Sequence, residues 1–168
     1  MFLRTVTITM TVAGTLTLGG AAAQATAPTH YKIVAKHSGK CLDVLGGRTG
    51  HGAPTHQWTC LKGVDSQIWE ARRFDDGAYV LIAQHSKRCL DVSHAGREDR
   101  VPVVQANCRF TDNQRWWIKQ NADGTSRLIA KHSGKCLDVA WAEHGNGGRI
   151  VQSRCWGGNN QRWQLKNA

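Results

Sequence analysis

The chain has 168 residues and a net charge of +10, from 22 Lys and Arg against 12 Asp and Glu. That length holds one ordinary domain and leaves no room for a large catalytic domain beside it. The excess of cations keeps an exported protein soluble and also attracts polyanions, so anionic polymers stay among the candidate partners.

Residues 1–25 read as a secretory signal rather than as part of a fold. Arg4 is a positive n-region, Thr5 to Gly20 carry no charge, and Ala23-Gln24-Ala25 is a small-x-small cleavage site, with Ala21-Ala22-Ala23 as a second cut. The stretch is rich in Thr and Gly and falls short of the ~20 strongly apolar residues of a membrane span. The expected mature protein is therefore secreted, has no membrane span, and consists of a short tail, 26–30, followed by one folded domain, 31–168.

Within that domain one phrase occurs three times: His37-Ser38-Gly39-Lys40-Cys41-Leu42-Asp43-Val44, His85 to Val92, and His132 to Val139. A second cysteine follows 19 residues after the first (Cys60, Cys108, Cys155), and a Gln-x-Trp triplet closes each unit at Gln67 and Trp69, Gln114 and Trp116, Gln161 and Trp163. Self-similarity at a spacing of about 47 residues marks a repeat architecture. The units are about 31–77, 78–124 and 125–168.

Six cysteines in an exported chain read as disulfides. Of the fifteen pairings on paper the repeat selects one, because each unit holds its own pair: Cys41 with Cys60, Cys89 with Cys108, Cys136 with Cys155. Each closes a loop for which chain entropy gives about 3 kcal/mol. No Cys-x2-Cys occurs, so no zinc site is expected.

Each unit opens on a short strand (Tyr31 to Lys36, Tyr79 to Gln84, Arg127 to Lys131), turns at Ser-Gly-Lys or Ser-Lys-Arg, and continues through Cys-Leu-Asp-Val. Alternation puts Leu42 and Val44 on one face and Cys41 and Asp43 on the other, so a buried leucine implies an outward aspartate. Glycine-rich loops follow at 45–55, 93–103 and 140–150. A third strand is expected to carry the second cysteine, and the Gln-x-Trp strand comes last. Three such units make a twelve-stranded all-β body with pseudo-threefold symmetry, with Trp69, Trp116 and Trp163 in its core. His37, His85 and His132 each precede a turn and are expected to bond to backbone. Trp117 and Trp156 lie outside the repeat phase, and Trp117 is assigned a local packing role.

Cys-Leu-Asp-Val, the second cysteine and Gln-x-Trp, three times over, resemble the ricin B-type lectin family across the whole of 31–168. The resemblance implies a β-trefoil with up to one shallow sugar site per unit. Each would be built from the aspartate, an aromatic residue just before the second cysteine, and the residue before the Gln-x-Trp glutamine. The chemistry suits a sugar: an aromatic ring covers the apolar C–H face, and carboxylate and amide groups match the hydroxyls.

If the two cysteines of a unit stand opposite each other on an antiparallel pair, Asp43 faces Trp58, Asp91 faces Ala106, and Asp138 faces Ser153. Each unit then departs from the family pattern once. The first has Trp58 but Ser66 in the amide position; the second and third have Asn113 and Asn160 but no aromatic. Substitutes are His56 and Asp65 in the first unit, His94 in the second and Trp141 in the third. The candidate carbohydrate-binding residues are thus Asp43, His56, Trp58, Asp91, Asn113, Asp138, Trp141 and Asn160. The alternative role of the aspartates is to cap the turn that follows them.

No G-x-S-x-G, H-E-x-x-H or P-loop is present. The expectation is a monomeric, non-enzymatic, cofactor-free binder of saccharide or polysaccharide. Two rivals remain: a basic trefoil gripping acidic glycan or nucleic acid, and a trefoil subunit or inhibitor whose loops meet a protein.

Overall fold

The computed structural model describes residues 29–168, so the expected leader lies outside the described residues. Twelve strands follow one another in three sets of four. They are β1 (His30–Ala35), β2 (Cys41–Val44), β3 (Ala53–Trp58) and β4 (Trp69–Arg73); β5 (Tyr79–Ala83), β6 (Cys89–Val92), β7 (Val101–Ala106) and β8 (Trp116–Gln120); β9 (Ser126–Ala130), β10 (Cys136–Val139), β11 (Ile150–Ser153) and β12 (Trp163–Asn167). The first and last strands of the units pair in one ring, β1-β4-β5-β8-β9-β12 and back to β1. Closure of this six-stranded barrel leaves it no free edge. The inner strands form three hairpins, β2/β3, β6/β7 and β10/β11. The hairpins touch one another through β3–β7 and β7–β11 pairing and a His56–Arg149 bridge, so they cap one end of the barrel. This is the β-trefoil.

The repeated residues build the core. Trp69, Trp116 and Trp163 are fully buried, together with Leu42, Leu90, Leu137 and the valines two residues on. Each tryptophan stands opposite a small residue across the ladder, Ala83, Ala130 and Ala35 in turn, which makes room for the indole. Its Nε1 donates to the carbonyl of the phrase leucine at 3.1–3.2 Å, tying the barrel to the hairpin above it. The three disulfides pair as expected, each with Cα atoms 5.1 Å apart.

One expectation fails. Asp43, Asp91 and Asp138 are not outward: they are 6%, 7% and 4% exposed. Alternation does turn them away from the leucines, but that second face of the hairpin is itself covered by the 3-10 turn that carries the Gln-x-Trp glutamine. Gln67, Gln114 and Gln161 lie under it and donate to the three carboxylates at 2.9, 2.7 and 2.7 Å.

A second set of glutamines closes the ring of units. Gln57, Gln105 and Gln152 are fully buried. Each accepts from the phrase serine of its own unit (Ser38, Ser86, Ser133) and donates to two carbonyls in a loop of another unit: Glu143 and Gly145, Arg48 and Gly50, Gly96 and Glu98. The histidines His37, His85 and His132 add a bond from Nε2 to the same loops. Replacing Gln105 by alanine is expected to lower stability by about 3 kcal/mol, because two carbonyls and a hydroxyl lose a buried partner at once. Urea unfolding measures it; a loss no larger than that of an exposed residue would overturn it.

Candidate functional site

The hairpin register differs from the expected one by two residues. Asp43 pairs with His56 and Cys41 with Trp58; Asp91 pairs with Val104, and Asp138 with Val151. The cause is that the second cysteine lies beyond its strand rather than on it, so each disulfide runs diagonally off the end of the hairpin. Trp58 is therefore linked to Asp43 through His56 instead of facing it. The His56 ring stacks on Trp58, with centroids 5.3 Å apart, and its Nε2 stands 3.8 Å from Asp43 Oδ2. Asp65 is engaged elsewhere, accepting from Gln84 at 3.1 Å.

In the third unit Asp138 and Asn160 lie at the floor of a groove of about 400 Å³, with Trp141, Trp156, Asp99 and Arg100 among its walls. Asp138 Oδ2 accepts from Gln161, and Oδ1 accepts from Asn160 Nδ2 at 3.0 Å. Asn160 Nδ2 also donates to the Val139 carbonyl, while its buried Oδ1 has no partner. Trp141 and Trp156 are 70% and 61% exposed, a large apolar surface to present to water. The Trp156 ring lies over Gly158, where a Cβ would come within 2.0 Å of it, so only glycine admits this placement. The Arg100 guanidinium carbon sits 3.8 Å from the centre of the Trp141 ring.

The second unit has a groove of about 380 Å³, bordered by Asp91, Asn113, His94, His51 and Arg109. Asn113 donates to the Val92 carbonyl, but its Oδ1 already accepts from Thr111 at 2.7 Å. In the first unit Ser66 replaces the amide and is buried, and Asp43 Oδ1 is buried without a partner. Trp58 is 37% exposed.

The three carboxyls differ electrostatically. Burial pushes Asp138 above the usual carboxylate range despite bonds from Gln161, Trp156 and Asn160. Burial does the same to Asp91 against Gln114 and Asn113. Burial also pushes Asp43 up, but His56, Gln67 and Ser66 together outweigh it and hold the group below its ordinary value.

Of the eight candidates, Asp138, Trp141 and Asn160 line the third unit's groove and Asp91 and Asn113 the second's, while Asp43, His56 and Trp58 follow one another in the first. The sequence reading missed the walls that come from another unit. Asp99 Oδ1 accepts from the Arg154 backbone N–H, His51 Nδ1 from that of Asn107, and Asn146 Oδ1 from that of Thr59. The available signal was the in-phase recurrence of Gln57, Gln105 and Gln152, which hold those loops in place. Trp156 had no repeat signal, since Leu61 and Arg109 occupy its place elsewhere. Among the described residues no group of three His, Cys, Asp or Glu is arranged to hold a metal ion.

Comparison with known proteins agrees with this geometry. Among solved structures, a designed threefold-symmetric protein, ThreeFoil, is 41% identical over 83% of this chain and 99% of its own, with a TM-score of 0.81. An exo-beta-1,3-galactanase from Clostridium thermocellum is 36% identical with a TM-score of 0.80; 83% of this chain matches only 30% of that one, a part of a larger enzyme. A ricin B-like lectin from Macrolepiota procera, solved with lactose, shares the fold at 19% identity, over 86% of this chain and 99% of its own, with a TM-score of 0.72. A search of curated proteins finds no match. The sequence profile of the ricin-type beta-trefoil lectin domain matches residues 29–163, and with three disulfide-closed repeats around one barrel the chain belongs to that family.

Proposed function

We propose that the protein is a secreted lectin that holds saccharides without transforming them, with its principal site in the third unit. The observation that carries this is the floor of that groove. A buried carboxylate and a buried amide oxygen with no partner lie together beneath two exposed indoles. Polar side chains at the floor of a groove, beside an apolar wall, match the alternating hydroxyls and C–H face of a pyranose. The second unit offers a weaker version, with Asp91 and Asn113 but no indole. The first joins Asp43, His56 and Trp58, where the histidine closes over the carboxylate.

Galactose-type sugars are the first to try, because the Macrolepiota procera lectin was solved with lactose and an earthworm lectin of the same fold with GalNAc. Shallow sites of this kind bind singly at about millimolar Kd, and sites on one rigid body gain avidity on a polymer. Export accords with the three disulfides and the N-terminal leader pattern.

Retention on a panel of immobilised glycans, at low and at high salt, tests the reading. Retention of a neutral glycan that survives high salt is expected, because hydroxyl recognition does not depend on counterion release. Binding confined to polyanions and lost steeply with salt would instead assign the protein to the charge-driven class.

A further inference from the structure

The third groove carries a feature that neutral-sugar recognition does not require. Three backbone positions are equivalent by their bonds: Gly52 N–H donates to the Gln105 carbonyl, Arg100 to Gln152 and Gly147 to Gln57, at 2.8, 2.7 and 2.9 Å. All three have positive φ, 78°, 69° and 90°. That region suits glycine and is unfavourable to a residue with a Cβ. Two units obey the rule, and the second unit places an arginine there instead. Its side chain crosses to the third unit's groove and stacks on Trp141, itself in the left-handed region at φ 60°. The counterparts of Trp141, Gly46 and His94, share its positive φ, so the departure peculiar to this rim is Arg100, and a strained residue kept where glycine would serve is the pattern expected of a functional constraint.

Stacking uses the flat face of a guanidinium and leaves its in-plane N–H donors unspent. Among the described residues the Arg100 guanidinium has no hydrogen-bond or ion-pair partner, only the indole beneath it. The one acid at this rim, Asp99, is already occupied by Lys135 at 2.6 Å and by the Arg154 backbone N–H at 2.7 Å. Arg154 lines the same groove, where the other units have Thr59 and Asn107. The rim therefore offers fixed cationic donors a short step from a floor that takes hydroxyls.

We infer that the third groove selects a sugar acid, a hexuronic acid unit. Its hydroxyls lie on Asp138 and Asn160, its ring lies against the tryptophans, and its carboxylate is paired with the edge of Arg100. This rests on the lectin reading and narrows it to a ligand class. An Arg–carboxylate pair is bidentate and directional, so it discriminates the acid from the primary alcohol at the same carbon.

The test titrates the intact protein with methyl galacturonide and methyl galactoside, and with methyl glucuronide and methyl glucoside, following tryptophan fluorescence. Monosaccharides avoid the general attraction of a basic protein for polymers. For one pair at least, the acid is expected to bind about tenfold more tightly than its neutral twin. Arg100→Gly should erase that preference, whereas Lys166→Gln, which removes the same charge from β12 outside the groove, should keep it. Since glycine fits φ 69°, Arg100→Gly should fold normally, with a melting temperature equal to or about 2 °C above the parent. Equal binding of acid and alcohol, or a preference that survives Arg100→Gly, would overturn the acid assignment and leave the lectin reading standing. Failure of all four sugars would overturn the acid assignment, and the lectin reading falls with it only if the panel of immobilised glycans fails as well.

Discussion

Asp138→Ala is expected to weaken sugar binding at the third groove by at least about tenfold, since a charged acceptor contributes roughly 1.5–3 kcal/mol per hydrogen bond. The fold should survive the change. Gln161 keeps the Arg154 carbonyl at 2.9 Å and Asn160 keeps that of Val139, so neither amide loses its last acceptor. Acid should imitate the mutation. Burial raises the Asp138 pKa, so its carboxylate is lost to protonation on acidification sooner than that of an exposed aspartate. Binding at this site should then fall as pH drops through that raised value. The stability linkage has the opposite sign. A carboxyl whose folded pKa lies above its unfolded value 3.8 favours unfolding at pH above the folded pKa, and that penalty is relieved on acidification. This group therefore abolishes binding at acid pH without itself promoting unfolding. In the first unit Asp43 is held below the ordinary value, so its carboxylate outlasts that of Asp138 on acidification. Fluorescence titration across pH, in parent and Asp138→Ala, is the measurement. Full affinity in the mutant, or binding by the parent that rises on acidification, would refute the role given to the carboxylate.

Much of this molecule is written in its period. Three phased copies of one phrase, with a cysteine pair and a tryptophan in each, leave a threefold arrangement as the simple way to bury the same residues three times. The disulfides and the core tryptophans follow from that. What alternation could not reveal is that the aspartate face of each hairpin is roofed by a turn from the end of the same unit, so that Asp43, Asp91 and Asp138 are buried acceptors rather than surface groups. Register failed for a related reason. A disulfide demands that two cysteines approach closely with their Cβ atoms turned toward each other, here with Cα atoms 5.1 Å apart, and a cysteine past the end of its strand meets that as well as one on it. The groove walls were harder still. Arg100 reaches the third site from the second unit, and such long-range placement leaves no local trace except the buried glutamines that fasten each loop to its neighbour. An arginine where two glycines set the precedent is visible in the sequence only after the repeats are aligned by their backbone bonds.

Trp116→Ala is expected to cost about 3–5 kcal/mol, the usual range for deleting a fully buried aromatic side chain. A domain of this size has roughly 5–15 kcal/mol in all, so one such change uses up a large share of it. Three terms act together. The indole is wholly buried, and the residue opposite it, Ala130, is too small to fill the void. The Leu90 carbonyl, which accepts from Nε1 at 3.2 Å, is left without that partner. Leu90 is also the neighbour of Asp91, so the hairpin that carries the second unit's carboxylate loosens with it. Because Trp69 and Trp163 have the same burial, the same small partner and the same bond, their alanine variants should fall by similar amounts. Trp141→Ala gives the contrast. Its ring is 70% exposed and sits in a left-handed backbone conformation, so its removal should change stability by no more than about 0.5 kcal/mol while removing a wall of the third groove. Urea unfolding of the four variants separates the two roles. A Trp141→Ala penalty as large as that of Trp116→Ala would make Trp141 a packing residue, and the third groove would then lose its claim to an exposed indole kept for a ligand.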